Sequence, residues 1–315
     1  MFKEEERESW TRARNTVTDI LKNGVYRKTL IDMATFDFKN WIEEGKTEDE
    51  KELRQAAHTL FVAIGNSPSL NSNMIVKGGF LLVMKYKSTR YTRDIDFSTP
   101  DKYEKGCGEE IKRELDKRLV LAVEELDYGL DCRVQKCKLD PNKDDATYPT
   151  LEMTVGYAGK GSREHARLIK GDSPHILKID YSFNEPNFLE NDVMNITGGG
   201  RIETYSLPDL VGEKYRAIIQ QKVRNRHREQ DAYDIYYLIE HEELDNDEIK
   251  AAILKSLIQK SRARVEVSKH SLDDEETKRR LKSDYDDMAS SVEGELPPFE
   301  TAFKTVKEYY ESLPW

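Results

Sequence analysis

Apolar residues recur at helical spacing over residues 49–64, where Leu53, Ala56, Ala57, Leu60, Phe61 and Ile64 fall on one side of a 3.6-residue period. Residues 18–21 carry a shorter version of the pattern, so residues 1–65 read as helical. Gly65 and Ser67-Pro68-Ser69 break it. The pattern then shortens. Residues 73–76 are strand-like and residues 80–86 form a mostly apolar, helix-compatible run. Residues 94–97 alternate, with Ile95 and Phe97 on one side and Asp94 and Asp96 on the other. Residues 109–127 return to an amphipathic helical pattern through Ile111, Leu115, Leu119, Val120, Ala122 and Val123. Strand-like runs follow at 132–139, 151–157 and 176–183, with a polar, turn-rich stretch at 140–147. These strands lie too close together for a helix between every pair, which points to an α+β region with a mixed sheet. Gly198-Gly199-Gly200 predicts a hinge or loop. Ser206-Leu207-Pro208-Asp209 supplies a hydroxyl cap, an early proline and an early acid for a helix start. The remainder reads as helical, with breaks near Asp245, Leu272 and Pro297-Pro298, and the polar residues 265–293 read as a mobile arm. The organisation expected is a helical region over 1–65, a mixed-sheet core over 66–203 and a helical domain over 204–315, with no internal repeat.

Composition narrows the class. The 315 residues suffice for two domains with real cores, and 35% are charged. Mean hydropathy is −0.77, and no apolar run approaches the roughly 20 residues of a membrane span. The N-terminus, Met-Phe-Lys-Glu-Glu-Glu-Arg-Glu, lacks the apolar centre of a signal peptide. Cys107, Cys132 and Cys137 are odd in number and lack metal-ligand spacing, which argues against zinc and fits a reducing, cytoplasmic location. The net charge of −10 does not advertise nucleic acid, but positive charge is clustered. Lys77, Lys85, Lys87, Arg90 and Arg93 form one group; Lys222, Arg224, Arg226, His227 and Arg228 form a second; Lys260, Arg262, Arg264 and Lys269 begin a third. Such runs are usually solvated faces. The first two flank the motifs below, which puts triphosphate or RNA contact on an equal footing there.

The chemistry concentrates in Lys77-Gly78-Gly79, followed by Arg90, Thr92, Arg93 and Asp94-Ile95-Asp96. Glycines after a strand let backbone N–H groups approach a phosphate, and a helix starting there turns its positive end toward the anion. Carboxylates at i and i+2 on a strand share a side and can hold Mg²⁺ (or Mn²⁺), which takes its remaining ligands from water and substrate phosphate. Either element alone is more often a turn or a solvated strand end. Their order and strand–turn–helix–strand setting point to a metal-dependent site for a nucleoside triphosphate (NTP).

These residues resemble the first motif of the AbiEii/AbiGii toxin family, nucleotidyltransferase-like proteins of bacterial abortive-infection and toxin–antitoxin systems. That family reads Lys-Gly-Gly-Thr, then Arg-x-Ser-x-Asp-hydrophobic-Asp; here Phe80 replaces the hydroxyl residue and Thr92 replaces Ser. Lys178-Ile179-Asp180 resembles the second motif. Glu213-Lys214-Tyr215-Arg216-Ala217 resembles the third. Gln230-Asp231-Ala232-Tyr233-Asp234-Ile235-Tyr236 resembles the fourth, with Gln230 in place of Arg. The likeness spans residues 77–237, about half the chain.

The resemblance implies a nucleotidyltransferase-like mixed sheet with flanking helices and a C-terminal helical bundle. It implies that Lys77, Gly78, Gly79, Arg90, Thr92 and Lys178 seat the triphosphate, that Asp94 and Asp96 hold the metal, and that Asp180 is a third acid. Lys214 and Asp231 would reach the site from the helical domain across a cleft. From the residues alone each has a plainer reading. Asp180, facing the same side as Lys178, could be a solvated strand residue. Lys214, beside an apolar stripe, could simply extend to solvent. Asp231 could pair with Arg228 or Arg216, and Asp234 could orient Asp231 or pair with an arginine. Family members attach nucleotides to the 3′ end of tRNA, and some are linked to phosphate transfer onto a protein. The resemblance therefore implies a tRNA acceptor, a cognate antitoxin and a toxin role. Two rivals stand beside it: a binding or regulatory protein with weak turnover, which Phe80 favours, and a small-molecule nucleotidyltransferase of the antibiotic-modifying sort, which the acidic net charge suits.

Overall fold

Alternating strands that bury one face need a partner layer, and here eight of them share one sheet in the computed structural model of the chain, which describes residues 35–143 and 146–315. In chain order they are β1 (Thr35–Phe36), β2 (Ile75–Lys77), β3 (Asp94–Ser98), β4 (Leu130–Asp140), β5 (Thr150–Gly159), β6 (Ile176–Ser182), β7 (Asp192–Ile196) and β8 (Arg201–Thr204). Across the sheet the order is β1-β7-β8-β2-β3-β6-β5-β4. The centre is mixed: β2 runs antiparallel to β3, β3 parallel to β6, and β6 antiparallel to β5.

One face is apolar. Val76, Ile95, Phe97, Met153, Val155, Ile179 and Tyr181 are all buried there. Helices α1 (Phe38–Glu43), α2 (Glu48–Gly65), α3 (Pro68–Asn71), α4 (Gly78–Tyr86) and α5 (Cys107–Leu126) lie between the first strands, and α6 (Arg163–Ile169) between β5 and β6. The hydroxyl of Thr47 caps α2 by accepting from the Glu50 N–H at 3.2 Å, and three acids follow in the first turn. The second half of α2 is buried all round, from His58 to Ile64. Phe61 stacks on Phe80 of α4 and tilts against Phe97 of β3, with centroids 5.2 and 6.0 Å apart. Truncating such an aromatic to Ala would cost about 3–5 kcal/mol.

The chain after β8 is helical: α7 (Leu207–Arg224), α8 (Glu229–His241), α9 (Asp247–Ser261), α10 (Glu275–Ser283) and α11 (Phe299–Glu311). The Ser206 hydroxyl caps α7 by accepting from the Asp209 N–H, as the sequence indicates. The α7 helix packs on α8, α9 and α10, and the buried Tyr215 hydroxyl donates to the Val306 carbonyl in α11 at 2.9 Å. No helix among the described residues is long and apolar enough to cross a membrane.

Two expectations need correction or extension. The glycine triplet is the turn of the β7–β8 hairpin, with φ of 87°, 109° and 85° at Gly198, Gly199 and Gly200; the hairpin itself was not expected. The polar stretch at 265–293 is packed: Leu272, Leu281 and Tyr285 are buried, and Val292 bridges Arg90 in antiparallel fashion. Residues 35–315 form one compact unit holding both sheet and helices. The helical reading at 18–21 lies outside the described residues.

Candidate active site

Strand register builds the polar face. Lys77 lies opposite Asp96, Asp96 opposite Asp180, and Asp180 opposite Glu152. Directly paired residues share a face, so these four make one row across β2, β3, β6 and β5. A second row, two residues along, holds Asp94, Lys178 and Thr154.

The β2–α4 turn backs this row. Gly78 has φ +68°, and a Cβ there would overlap Asp96 Oδ2 and lie 2.7 Å from its Cγ. A Cβ on Gly79 would lie 2.6 Å from Arg90 Nη2. The two glycines therefore make room for a carboxylate on one side and a guanidinium on the other. The α4 helix starts at Gly78, beside Asp96, without a side-chain cap, so its first N–H groups have no side-chain acceptor from the cap residue. Thr92 closes that side, its hydroxyl donating to the Asp94 carbonyl at 3.3 Å. Phe80 does not face the acids: its ring is buried between Phe61 and Trp41, in the core.

The acids repel one another. Burial pushes Asp96 up to about 6; Asp180 and Glu213 push in the same direction, and the Lys77 ammonium opposes them. Asp180 is also raised, first by partial desolvation and then by Asp94 and Glu152, although its side chain still reaches water. Asp94 is exposed, with Lys178 Nζ 3.9 Å away, also exposed, a pair of little energetic weight. A divalent cation fits this donor set in charge and in ligand type. The fit is to an open site, because the three aspartates do not bring one oxygen each within 4.8 Å. Among the described residues, only His227, Glu229 and Asp284 do so, and there His227 already pairs with Asp284 at 3.0 Å. Magnesium held by one or two carboxylates and completed by substrate phosphate matches the open geometry.

Buried cations surround the row, each with a carboxylate partner. Lys77 Nζ lies 3.2 Å from Glu213 Oε1. Glu213 also faces Lys260 at 3.7 Å and Arg216 at 3.8 Å. Burial would raise Glu213, but Lys77, Lys260 and Arg216 hold it well below the usual carboxylate range. Lys214 Nζ donates to Asp231 Oδ1 at 3.0 Å and to Asp234 Oδ2 at 2.7 Å. Arg90 forks onto the same Asp234, Nε to Oδ1 at 2.8 Å and Nη2 to Oδ2 at 3.0 Å, and its Nη1 donates to Gln230. Asp234 is fully buried; burial alone would raise it, but Arg90 and Lys214 outweigh burial and hold it low. Arg228 lies 3.6 Å from Asp231.

The structure thus gathers Lys77, Gly78, Gly79, Thr92, Asp94, Asp96, Lys178 and Asp180 on or beside two rows. It joins Arg90 to Lys214 through Asp234 and Lys214 in turn to Asp231, and the Lys214 charge acts on Asp96. Residues 63–308 match the family model described as nucleotidyl transferase AbiEii toxin, type IV toxin–antitoxin system. The chain belongs to this family. It is a nucleotidyltransferase, and the matched stretch contains every site residue named above. No curated protein sequence matches the chain. Its fold is similar to that of MenT4, a nucleotidyltransferase toxin from Mycobacterium tuberculosis, with a TM-score of 0.52 at 12% identity over 87% of this chain and 90% of that one. Two Helicobacter pylori structures are also similar. One has a TM-score of 0.43 at 15% identity, covering 85% of this chain and 99% of that one. The other, JHP933, has a TM-score of 0.43 at 14% identity, covering 84% and 94%.

Site residues not anticipated from the sequence are Glu152, and Glu213 as the partner of Lys77. The alternation Leu151-Glu152-Met153 gave the face of Glu152 but not its neighbour across the sheet. Glu213 and Lys77 are 136 residues apart, and no local pattern links them.

Proposed function

We propose that this AbiEii-family nucleotidyltransferase moves a nucleoside monophosphate from an NTP onto the 3′ end of tRNA, releases pyrophosphate, and so acts as a toxin that blocks translation. In the cell its location is the bacterial cytoplasm and its counterpart a cognate antitoxin. The observation that carries the reading is the single row Lys77–Asp96–Asp180 with Gly78 pressed against Asp96. A nucleotide placed on the glycine turn would meet backbone N–H donors and the positive end of α4 on one side and the aspartates on the other.

Asp94 and Asp96 would hold Mg²⁺ or Mn²⁺, whose contribution when bound is to neutralise charge on the reacting phosphate and the departing pyrophosphate. Lys77 sits beside Asp96 and can exchange Glu213 for a phosphate oxygen. Lys178, exposed beside Asp94, can turn to the same phosphates. Lys214, held by Asp231 and Asp234, presents its ammonium from α7. Arg90 is fully engaged by Asp234 and Gln230, so its role is to fix α8 against the Gly79 turn. Asp180, with its raised proton affinity, accepts the proton of the attacking hydroxyl. The hydroxyl oxygen bonds to the α-phosphorus as the bond to the bridging oxygen of pyrophosphate breaks.

Periodate destroys the terminal 2′,3′-diol of RNA and leaves the rest of tRNA intact. The protein should label intact tRNA from an α-labelled NTP and fail on periodate-treated tRNA. Equal labelling of both would refute the 3′-end assignment.

A further inference from the structure

Strand order gives the site two sides. Gly78 and Gly79 follow β2, the aspartate pair lies on β3, and Asp180 lies on β6, with β5 and β4 beyond. If the triphosphate rests on the glycine side, in-line displacement requires the attacking hydroxyl to come from the opposite side, over β6, β5 and β4. That surface is open. Lys178 and Asp180 on β6, Glu152 on β5, and Lys136 and Lys138 on β4 are all exposed. Register extends the two rows across it: Lys138 lies opposite Glu152, and Lys136 opposite Thr154, which lies opposite Lys178. Neighbouring strands are about 4.8 Å apart, so Lys136 and Lys138 stand roughly 10 Å beyond the β6 residues. Among the described residues neither lysine has an ion-pair partner.

We infer that the open face of β6, β5 and β4 is the acceptor platform, and that Lys136 and Lys138 bind backbone phosphates of an RNA strand whose end lies at Asp180. This rests on the nucleic-acid acceptor proposed above and adds where that acceptor lies. Charge complementarity selects the occupant. Lys136 and Lys138 on the approach side attract a phosphate chain and repel a cationic small acceptor. Glu152 and Asp180 are the acids on this face, and they lie between the two lysines and the proposed metal-holding pair. The net charge of −10 does not oppose this, because a local basic face is enough for phosphate contact.

The test uses the full chain and its Lys136→Glu/Lys138→Glu variant, with Lys136→Gln/Lys138→Gln as a milder second form. Binding of fluorescently labelled bacterial tRNA is followed by anisotropy between 50 and 200 mM KCl, alongside affinity for Mg-NTP. The expected result is tRNA binding at least ~10-fold weaker in the Glu variant and less weakened in the Gln variant. The salt slope should fall by about 1.4 for two lost single-strand phosphate contacts, with NTP affinity unchanged. A parent that binds no tRNA overturns both this inference and the RNA-acceptor reading. A parent that binds and labels tRNA, with variants that bind it as tightly and with the same slope, overturns the platform alone. Loss of NTP affinity in the variants would put these lysines on the nucleotide side, and a labelled protein in place of labelled RNA would reject the RNA occupant.

Discussion

Asp96 is ionised at a cost. Its carboxyl lies against Gly78 among other acids, and burial pushes it up to about 6 from 3.8. A carboxyl raised by folding binds more protons folded than unfolded, so its penalty is absent near pH 4, grows as pH rises and is complete above about 6. Without metal, Asp96→Asn should therefore stabilise the protein by about 3 kcal/mol at pH 8 and by well under ~1 kcal/mol at pH 4. Urea unfolding in EDTA at the two pH values measures this, and a destabilised variant at pH 8 would contradict it. Asp234 behaves oppositely. Its folded-state proton affinity is lowered, so its contribution is present above the ordinary carboxylate range and is lost as pH falls below it. Asp234→Asn leaves Arg90 and Lys214 short of a buried counter-charge and should cost about 3 kcal/mol at pH 7. Its acid unfolding curve should be flatter than the parent's; a loss under 1 kcal/mol would mean that Asp231 and Gln230 suffice. At this scale the sequence reveals which side chains share a strand face, because alternation is local. It hides partners such as Arg90 and Asp234, which meet across 144 residues.

Elements with strong local pattern emerge where expected. The buried turns of α2, the alternation of β3 and β6, and the Ser206 cap of α7 each follow from adjacent residues. The β7–β8 hairpin does not, because its strands are four and five residues long and mix polar with apolar positions without clean alternation. The stretch at 265–293 looks like an arm because Leu272, Leu281 and Tyr285 are spaced too widely to announce a helix, yet each is a core anchor. The element on which the proposed chemistry rests most is the β2–α4 turn. Gly78→Ala would strain a φ of +68° and drive a methyl into the Asp96 carboxylate. Transfer should drop at least ~100-fold, the scale of a displaced catalytic group, with far-UV circular dichroism unchanged. Activity within a few-fold of the parent would show that Asp96 tolerates displacement.

For the molecule as a whole, the sheet and the helical half are tied by buried contacts. Lys77 meets Glu213, Arg90 meets Asp234, Arg264 meets Glu185 at 2.9 Å, and Val292 bridges Arg90. Breaking one buried ion pair costs about 3–5 kcal/mol, a large share of a domain's stability, so the two halves should open together. Native-state hydrogen exchange checks this: amides of β2, β3, α7 and α8 should converge on one opening free energy, whereas separate plateaus would show that the helical half opens alone. The same ties hold Lys214 and Asp231 in place on α7 and α8, and the proposed nucleotide chemistry requires that arrangement. The most direct test is transfer itself. Purified parent, Asp94→Asn and Asp96→Asn are each incubated with Mg²⁺, tRNA and the four α-labelled NTPs in turn. Labelled RNA from the parent with at least one nucleotide, and none from either variant while both still unfold cooperatively, is the expected result. Labelling by a variant at the parental rate, or no labelling by the parent with any nucleotide, would contradict it.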